Sequence, residues 1–362
     1  MEKLRTQYPA LKEFVYLNSC SSGLISETLL AYRRQLDESF QKEGSNFRAG
    51  VYQKIKAIKQ TLATTFGAET HRTALIPSCS FGINLVLEAM PGSQKVLHLQ
   101  DDYPSIIWPF ESRDFTCVKA TVQNYSKEEL LRQIELHEPA ILALSAVQYS
   151  NGALIAPQDF QAIKALYPDL LIMVDATQFW GVAPFDFRES GIDLFVASAF
   201  KWLCAGYGNG AMFISSNLAR QLDSKIRGYN TYKNPRAEGT PTLGEYFEPG
   251  HQDLLSFQSL AFQVEALAGL GFENIQAQIS RIKGYARKRI AEETNYPVLT
   301  PKNPHLESGI LSIDAPKGLV KYLNQEGIVC SYNKGLRLGI HFYNNQKDID
   351  QLIEKMQSFK TS

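Results

Sequence analysis

Short apolar runs alternate with amphipathic stretches along the middle of the chain, from about residue 73 to residue 215. Most of these runs are apolar almost without interruption and rich in β-branched residues, which is typical of strands covered on both faces. The stretches between them repeat apolar residues every three or four positions, which predicts helices. We therefore predict an α/β domain with a mostly parallel sheet. The predicted strands are residues 73–77, 95–100, 115–122, 141–147, 170–176, 193–199 and 210–215, and the helices between them include residues 80–90, 127–137 and 157–166.

Helical patterns flank this region on both sides. Residues 27–42 and 52–66 precede it, and a long helical pattern from Leu254 to about Thr294 follows it, with a break near Gly271. The remaining residues predict a smaller α+β domain, with strands at 309–315, 328–331 and 336–342 and helices at 317–327 and 347–359. We expect a large domain over residues 17–252 and a small C-terminal domain over residues 253–362, with residues 1–16 packed on the latter.

The composition narrows the classes of function. The chain has 362 residues, with 37 Lys and Arg against 37 Asp and Glu, so its formal net charge is zero. This balance gives no electrostatic basis for binding nucleic acid or an anionic membrane. It is compatible with a surface that associates with a second copy. No window approaches the roughly 18 apolar residues that a membrane span requires.

Cysteine and histidine positions argue against a disulfide framework and against a metal site. The five cysteines form no C-x-x-C pair, and the six histidines are scattered without an H-E-x-x-H motif. The first residues lack the apolar segment of a signal peptide. We therefore expect a cytoplasmic protein without a metal.

Two side chains of complementary chemistry stand at the ends of two predicted strands. One strand ends in Asp175, and another is followed by Lys201. Ligands of open α/β sheets bind at the carboxyl ends of the strands. A lysine there can form a Schiff base with an aldehyde cofactor, and a carboxylate can hold a pyridine nitrogen protonated. The pair therefore predicts a site for pyridoxal phosphate (PLP).

Each residue of this pair also has an ordinary structural interpretation. Asp175 alone could be a strand-end turn residue, and most lysines are solvated on the surface. Lys201, however, follows an apolar strand and precedes Trp202-Leu203 and a glycine-rich segment. Burial there would lower the pKa of the lysine and favour its nucleophilic form.

Several motifs in order along nearly the whole chain resemble the class V aminotransferase family. These fold-type I PLP enzymes include cysteine desulfurases, selenocysteine lyases, kynureninase and isopenicillin N epimerase. The motifs are Tyr16-Leu17-Asn18, Gly82-Ile83-Asn84-Leu85-Val86, Val174-Asp175-Ala176-Thr177-Gln178, Asp193 to Lys201-Trp202-Leu203, Leu336-Arg337 and Tyr343-Asn344-Asn345.

The resemblance implies a role for particular residues of this chain. Lys201 would be the Schiff-base lysine, Asp175 would pair with the pyridine nitrogen, and Gln178 would lie near the phenolic oxygen. Tyr103 would stack on the ring. The phosphate would be bound by Ser80, with Cys79 before it, and by Ser198. The resemblance also implies a homodimer with shared active sites. In that dimer His251, after Gly250, would reach the phosphate of the neighbouring subunit. Arg337 would bind the substrate α-carboxylate, and Asn18 belongs to the predicted substrate-binding set.

Two of these assignments also have simpler alternatives. Ser80, just ahead of a helix expected to start near Phe81, could be a plain N-cap, since a helix N-terminus binds a phosphate and a capping hydroxyl by the same physics. Arg337 could be a surface arginine at a strand edge. Its guanidinium is otherwise suited to a bidentate contact with a carboxylate.

The chain departs from the family pattern at three positions. Phe200 stands where many members have a histidine beside the Schiff-base lysine, and His251 replaces a threonine. Tyr149 stands where desulfurases tend to have an asparagine. None of these changes removes the Lys201 and Asp175 pair.

Other functional classes are less well supported. Gly206 to Gly210 lacks the spacing and the Lys-Ser/Thr of a nucleotide-binding loop, and no G-x-S-x-G motif of a serine hydrolase is present. A non-catalytic protein with a PLP-enzyme fold stays an alternative, although the intact Lys201 and Asp175 pair argues against it.

The type of reaction is narrowed by one cysteine. Desulfurases place a nucleophilic cysteine on a mobile loop before the carboxylate-binding arginine. Here Cys330 lies in an apolar run that predicts a strand, and the link from Ser331 to Arg337 is short. We therefore expect an enzyme acting on the α-carbon or β-substituent of a small amino acid, an aminotransferase, lyase or epimerase, with a cysteine desulfurase or selenocysteine lyase as the alternative.

The sequence does not identify the substrate side chain. We expect specificity to come from residues 227–249 and 18–23. The charged and aromatic residues that could contact the substrate are Arg48, Arg227, Tyr229 and Arg236.

Overall fold

A computed structural model of the chain describes residues 2–121, 125–231, 243–303 and 306–359. Its strands are β1 (Val15–Tyr16), β2 (Thr73–Ile76), β3 (Lys95–Leu99), β4 (Thr116–Ala120), β5 (Ile141–Ser145), β6 (Leu171–Asp175), β7 (Leu194–Ser198), β8 (Gly210–Ile214), β9 (Ile310–Ile313), β10 (Ile328–Val329), β11 (Ser331–Tyr332) and β12 (Leu336–Gly339). Its α-helices are α1 (Glu2–Arg5), α2 (Ala10–Glu13), α3 (Glu27–Glu43), α4 (Val51–Thr65), α5 (Cys79–Glu88), α6 (Pro104–Glu111), α7 (Lys127–His137), α8 (Pro157–Leu166), α9 (Ser216–Gln221), α10 (Leu243–Phe247), α11 (Leu254–Leu270), α12 (Phe272–Glu293), α13 (Lys317–Gln325) and α14 (Gln346–Ser358).

The central sheet has seven strands in the order β2-β8-β7-β6-β5-β3-β4. Strand β8 is antiparallel to both of its neighbours, and the other pairs are parallel. The mostly parallel sheet and its seven strands are therefore confirmed, with boundaries within two residues of those expected. Val122, the last residue of one predicted strand, lies outside the described residues.

Both faces of this sheet are covered, which explains why its strands are apolar almost throughout. Leu142 and Leu144 of β5 pack with α4, α8 and α11, whereas Ile141 and Ala143 pack with α5 and α6 on the other face. Successive side chains of a strand point to opposite faces, so a strand with two apolar environments needs apolar residues at every position. The carboxyl edge of the sheet is left for a ligand site.

A second, smaller sheet lies toward the C-terminus. Strands β11, β12 and β9 form an antiparallel sheet with β12 in the centre. The chain start packs here: β1 pairs with β10, and Arg5 contacts both carboxylate oxygens of Asp348 at 2.8 Å. Helix α12 links the two cores, because Ile279 packs in the first and Ile282 in the second. The exact domain boundaries stay a prediction.

The strand expected over residues 328–331 is wrong in detail. The structure divides it into β10 and β11, because β10 pairs with β1 whereas β11 pairs with β12. Cys330 lies at this change of partner. The strand expected over residues 336–342 ends at Gly339.

No helix within residues 2–121, 125–231, 243–303 and 306–359 is both long and apolar enough to cross a membrane.

Candidate active site

The structure brings Asp175 and Lys201 to the same edge of the central sheet. Asp175 is the last residue of β6, and Lys201 follows the end of β7, its parallel neighbour. Parallel neighbours end at the same edge, so their terminal residues face one site. Both side chains belong to buried residues, at 5% and 9% exposure. Lys201 is therefore not a solvated surface lysine.

The amine of Lys201 is buried without a hydrogen bond. Within the described residues its Nζ makes no side-chain hydrogen bond or ion pair; the atom lies 5.7 Å from the ring centroid of Tyr103 and 5.5 Å from that of Phe200. Burial lowers the pKa of Lys201, and the charge of Asp175 opposes this shift. A buried amine with a lowered pKa has a larger neutral, nucleophilic fraction at neutral pH.

The carboxylate of Asp175 is held in place by the turn that follows β6. Its Oδ1 accepts a hydrogen bond from the backbone N–H of Thr177 at 2.8 Å. The hydroxyl of Thr177 in turn accepts from the N–H of Ser198 at 3.2 Å, which ties the ends of β6 and β7 together. Thr177 is a positioning residue that the sequence reasoning included only as part of a motif.

The helix beside this pair begins earlier than expected. We placed its start near Phe81 with Ser80 ahead of it, but α5 begins at Cys79 and Ser78 is the N-cap, its Oγ accepting from the N–H of Phe81 at 3.3 Å. Ser78 takes the extended conformation that a capping residue needs, so the helix can start two residues sooner. Ser80 lies in the first turn, and the plain N-cap interpretation of this residue is wrong.

Hydroxyl groups surround this helix N-terminus. The N–H of Cys79 donates to Oγ of Ser198 at 2.8 Å, and Oγ of Ser80 lies 2.7 Å from Oγ of Ser105. Ser80 is exposed, whereas Cys79 and Ser198 are buried. Hydroxyl groups beside the positive end of a helix dipole form an anion site suited to a phosphate. The Cys79 thiol has its pKa raised, by burial first and then by Asp175.

Tyr103 faces the same space from the start of α6. It is the N-cap residue, 38% exposed, and its ring meets the ring of Tyr149 edge to face at 5.1 Å. Asp102 fixes the backbone here by accepting from the N–H groups of Tyr103 and Ser145, both at 2.7 Å. Burial raises the pKa of Asp102 to about 6. Asp102 was missed from sequence because an acidic residue before a helix has no special signal.

Gln178 links the Lys201 segment to the chain start. Its Nε2 donates to the carbonyl of Cys20 at 2.9 Å, and its Oε1 accepts from Nε1 of Trp202 at 2.8 Å. One amide hydrogen remains available beyond these two bonds. The expected contact of Gln178 with a cofactor oxygen stays a prediction.

Arg337 is buried near Lys201, and its hydrogen-bond partners among the described residues are uncharged. Its guanidinium donates to Oγ of Ser331, to the carbonyl of Tyr149 and to Oγ of Ser21, at 3.1, 2.8 and 3.0 Å. At 8% exposure in the central strand of its sheet, it is not a surface arginine at a strand edge. Asn18 lies opposite Gly339 of the same strand, in an isolated bridge.

The described contacts of His251 are with Arg48 and Tyr229. It is exposed, with Nε2 at 3.2 Å from Nη2 of Arg48 and its ring 6.0 Å from the ring of Tyr229. Neither of these described contacts is with the Lys201 cleft. Of the other residues considered for substrate contact, Arg227 donates to the carbonyls of Ser224 and Ile226, and Arg236 lies outside the described residues.

The chemistry of this cleft fits the cofactor expected from the motifs. A buried amine with a lowered pKa suits an aldehyde, a fixed carboxylate suits a pyridine nitrogen, and a hydroxyl-lined helix N-terminus suits a phosphate dianion. The absence of a hydrogen-bond partner for Nζ of Lys201 within the described chain leaves the amine available for a covalent bond.

Comparison with known proteins gives a family for this arrangement. The model of the family described as "Aminotransferase class-V" matches residues 15–352. Among curated relatives, the uncharacterized aminotransferase YcbU of Bacillus subtilis is 23% identical over 367 residues, covering 98% of this chain and 97% of that protein. The isopenicillin N epimerase of Streptomyces clavuligerus is 22% identical, with 83% of each chain covered.

Solved structures show the same fold. A mutant of C-DES with glycine covalently linked to its PLP cofactor superposes with a TM-score of 0.89 at 17% identity, over 98% of this chain and 99% of that one. A cysteine desulfurase from Thermococcus onnurineus NA1, without its cofactor, gives a TM-score of 0.87 at 16% identity, over 99% and 97% of the two chains.

Proposed function

This chain belongs to the class V aminotransferase family of PLP-dependent enzymes, and we propose that Lys201 binds the cofactor and moves the substrate's α-proton. The observation that supports this role best is the buried Lys201 amine without a hydrogen-bond partner, beside the fixed carboxylate of Asp175. When bound, PLP supplies an electron sink that stabilises negative charge at the α-carbon.

The other residues of the cleft have distinct tasks in this proposal. Asp175 holds a proton on the ring nitrogen, since its carboxylate is fixed by Thr177. Ser80, Ser198 and the N-terminus of α5 bind the phosphate. Arg337 binds the α-carboxylate, because its buried charge has only neutral partners among the described residues. Lys201 would hold the cofactor through its amine, and the same amine would be the base that takes the α-proton and can return it.

The substrate in this proposal is a small amino acid, and the reaction occurs at its α-carbon or β-substituent. Desulfurase chemistry through Cys330 is not favoured. That residue is 5% exposed between β10 and β11, and burial raises the pKa of its thiol to about 12. A buried thiol that stays protonated at neutral pH is a poor nucleophile. The loop between β11 and β12 consists of residues 333–335 only.

A panel of L- and D-amino acids in D₂O tests the proposal with the PLP-loaded enzyme. We expect deuterium at the α-carbon of at least one small amino acid, and no exchange with Lys201→Ala. Formation of a 2-oxo acid, of the other enantiomer or of a β-elimination product then separates aminotransferase, epimerase and lyase. If the parent enzyme released sulfide from cysteine and the Cys330→Ala variant did not, the desulfurase alternative would be established instead.

We also propose that the enzyme is a homodimer with shared active sites. Large aromatic side chains are exposed on the surface near His251, with Tyr229 at 70% and Tyr52 at 57% exposure. His251 then reaches the phosphate bound by the partner. Sedimentation analysis should give twice the subunit mass, and a hybrid of Lys201→Ala with His251→Ala subunits should retain one of two active sites. A stable monomer with full PLP affinity would contradict the proposal.

Finally, we propose a cytoplasmic location. All five cysteines are free in the structure, and unpaired thiols persist in reducing compartments. Fractionation of the native host, followed by detection of the protein with an antibody, tests this directly.

A further inference from the structure

A cavity between the central sheet and the small sheet is lined by none of the residues assigned above to the Lys201 cleft. Its volume is about 310 Å³, within the range of small-molecule sites. Leu99 of β3 and Leu299, whose N–H donates to the carbonyl of Ser312 in β9, supply apolar walls. The polar side chains that line it include Gln148, Ser150, Asn151, Ser312, Asn333 and Lys334.

Ser312 is the unusual member of this lining. It is 1% exposed, and its Oγ has no hydrogen-bond partner among the described residues. Ser312 in β9 is the direct cross-strand partner of Arg337 in β12, so the two side chains lie on the same face of the small sheet. A buried hydroxyl without a partner is unfavourable. Its presence in the wall of a cavity is explained if a ligand supplies the partner.

The mouth of the cavity has a charged pair drawn from the two sheets. Nζ of Lys334 lies 3.1 Å from Oδ2 of Asp101, and the side chains are 60% and 71% exposed. An exposed pair of this kind is weak, and an ammonium has three donors, so Lys334 can bind a second anion without leaving Asp101. Lys334 has a φ of 54° in the tight turn before β12.

We propose that this cavity binds a small carboxylate-bearing molecule from solution, independently of the amino-acid substrate. The carboxylate accepts hydrogen bonds from Nζ of Lys334 and Oγ of Ser312, and the body of the ligand lies between Leu99 and Leu299. Both hydrogen-bond donors belong to the small sheet, whereas the opposite wall belongs to the central sheet. A bound acid therefore bridges the two sheets beside Tyr103 and Arg337.

Calorimetric titration of the PLP-loaded enzyme with succinate tests this site, with succinamide as the uncharged control. We expect succinate to bind in the millimolar range or tighter and succinamide not to bind. Because succinate can also bind Arg337, the titration is repeated with Arg337→Gln, where binding should persist. Ser312→Ala and Lys334→Asn should each weaken this binding at least fivefold, while Lys288→Gln, a distant surface change, should not.

The variants also separate this proposal from a folding defect. Ser312→Ala removes a hydroxyl that has no partner, so its melting temperature without succinate should equal or exceed that of the parent. Succinate binding that is abolished by Arg337→Gln yet unchanged by Ser312→Ala would place the acid in the substrate cleft and overturn the proposal. So would no heat of binding at all in the parent enzyme. Neither result depends on turnover, so the proposed function of Lys201 stands or falls separately.

Discussion

Two buried lysines of this protein differ in what surrounds them. Burial lowers the pKa of both, that of Lys283 to about 8. Nζ of Lys283 donates to the carbonyl of Ser308 at 2.9 Å and forms an ion pair with Glu307. Nζ of Lys201 faces Asp175 without any hydrogen bond among the described residues. Within the part of the chain that the structure describes, Lys201 lacks the hydrogen-bonding partners that make burial of Lys283 tolerable.

The difference shows how a structural lysine can be told from one kept for chemistry. A buried amine is stabilised when its N–H groups are paired, and an unpaired one is costly. At Lys283 the chain supplies the partners, so the residue links α12 to the segment before β9. At Lys201 the chain supplies a carboxylate and an anion site nearby, which are partners for a cofactor. We expect substitutions at the two positions to have different consequences.

The largest effect is expected for Lys201→Ala. It should abolish the visible absorbance of lysine-bound PLP and lower kcat by on the order of 10³-fold or more, because the covalent attachment and the base are lost together. The melting temperature without cofactor should change little. Spectroscopy and steady-state kinetics measure these effects, and Lys283→Met is the matched control that should keep the absorbance. If Lys201→Ala kept the absorbance band of lysine-bound PLP, the assignment of Lys201 as the lysine kept for chemistry would be wrong.

Next in size is Arg337→Gln. Losing a buried charge that binds a carboxylate should raise KM by about 100-fold, or about 3 kcal/mol, with a smaller change in kcat. Arg337→Lys should recover only part of this, because an ammonium lacks the planar fork. Steady-state kinetics with the amino acid that gives the highest kcat/KM measure the changes in KM and kcat separately. An unchanged KM would show that the α-carboxylate binds elsewhere.

Lys283→Met should affect stability and leave the chemistry intact. Removing the ammonium leaves Glu307 without its main partner, and since that side chain is 24% exposed we expect a loss of only about 1–2 kcal/mol. The native pKa of about 8 lies below the ordinary 10.5, so the unfolded chain binds more protons between these pH values. The free energy of unfolding of the parent should therefore rise relative to the variant as pH increases from 8 to 10.

Denaturant unfolding at several pH values measures that difference, and PLP absorbance is the control. If Lys283→Met lost the absorbance of lysine-bound PLP while remaining folded, Lys283 would be needed for cofactor binding, and its contrast with Lys201 would be wrong.

The smallest effect is expected for Cys330→Ala. A protonated buried thiol has no part in the proposed chemistry, so kcat/KM on the best substrate should stay within about twofold. A loss of more than tenfold in a folded variant would indicate that the thiol reacts.

Much of the fold could be predicted because its strands are apolar on both faces. Helix α6 was missed because Pro109 stands inside it and Pro104 opens it, and prolines ordinarily mark loops. The split at Cys330 was also missed, because a change of strand partner leaves no mark in a short apolar run.

The site was predictable to the extent that its residues end strands or lie in motifs. The sequence predicts roles for Lys201, Asp175, Ser198 and Arg337, and the structure brings them into one region, while their roles stay a prediction. Their supporting contacts could not be found, because they join residues far apart in sequence. Ser21 with Arg337 is one such contact. The same holds for the pairing of Lys283 with Glu307, on which the contrast between the two lysines depends.

The most direct test of the account is to locate the covalent attachment of PLP. The loaded enzyme is reduced with borohydride, digested and analysed by mass spectrometry. The account predicts the added mass on the peptide that contains Lys201 and on no other, with Lys283 unmodified. The added mass on any other lysine, or no covalent adduct in an enzyme with bound PLP, would contradict it.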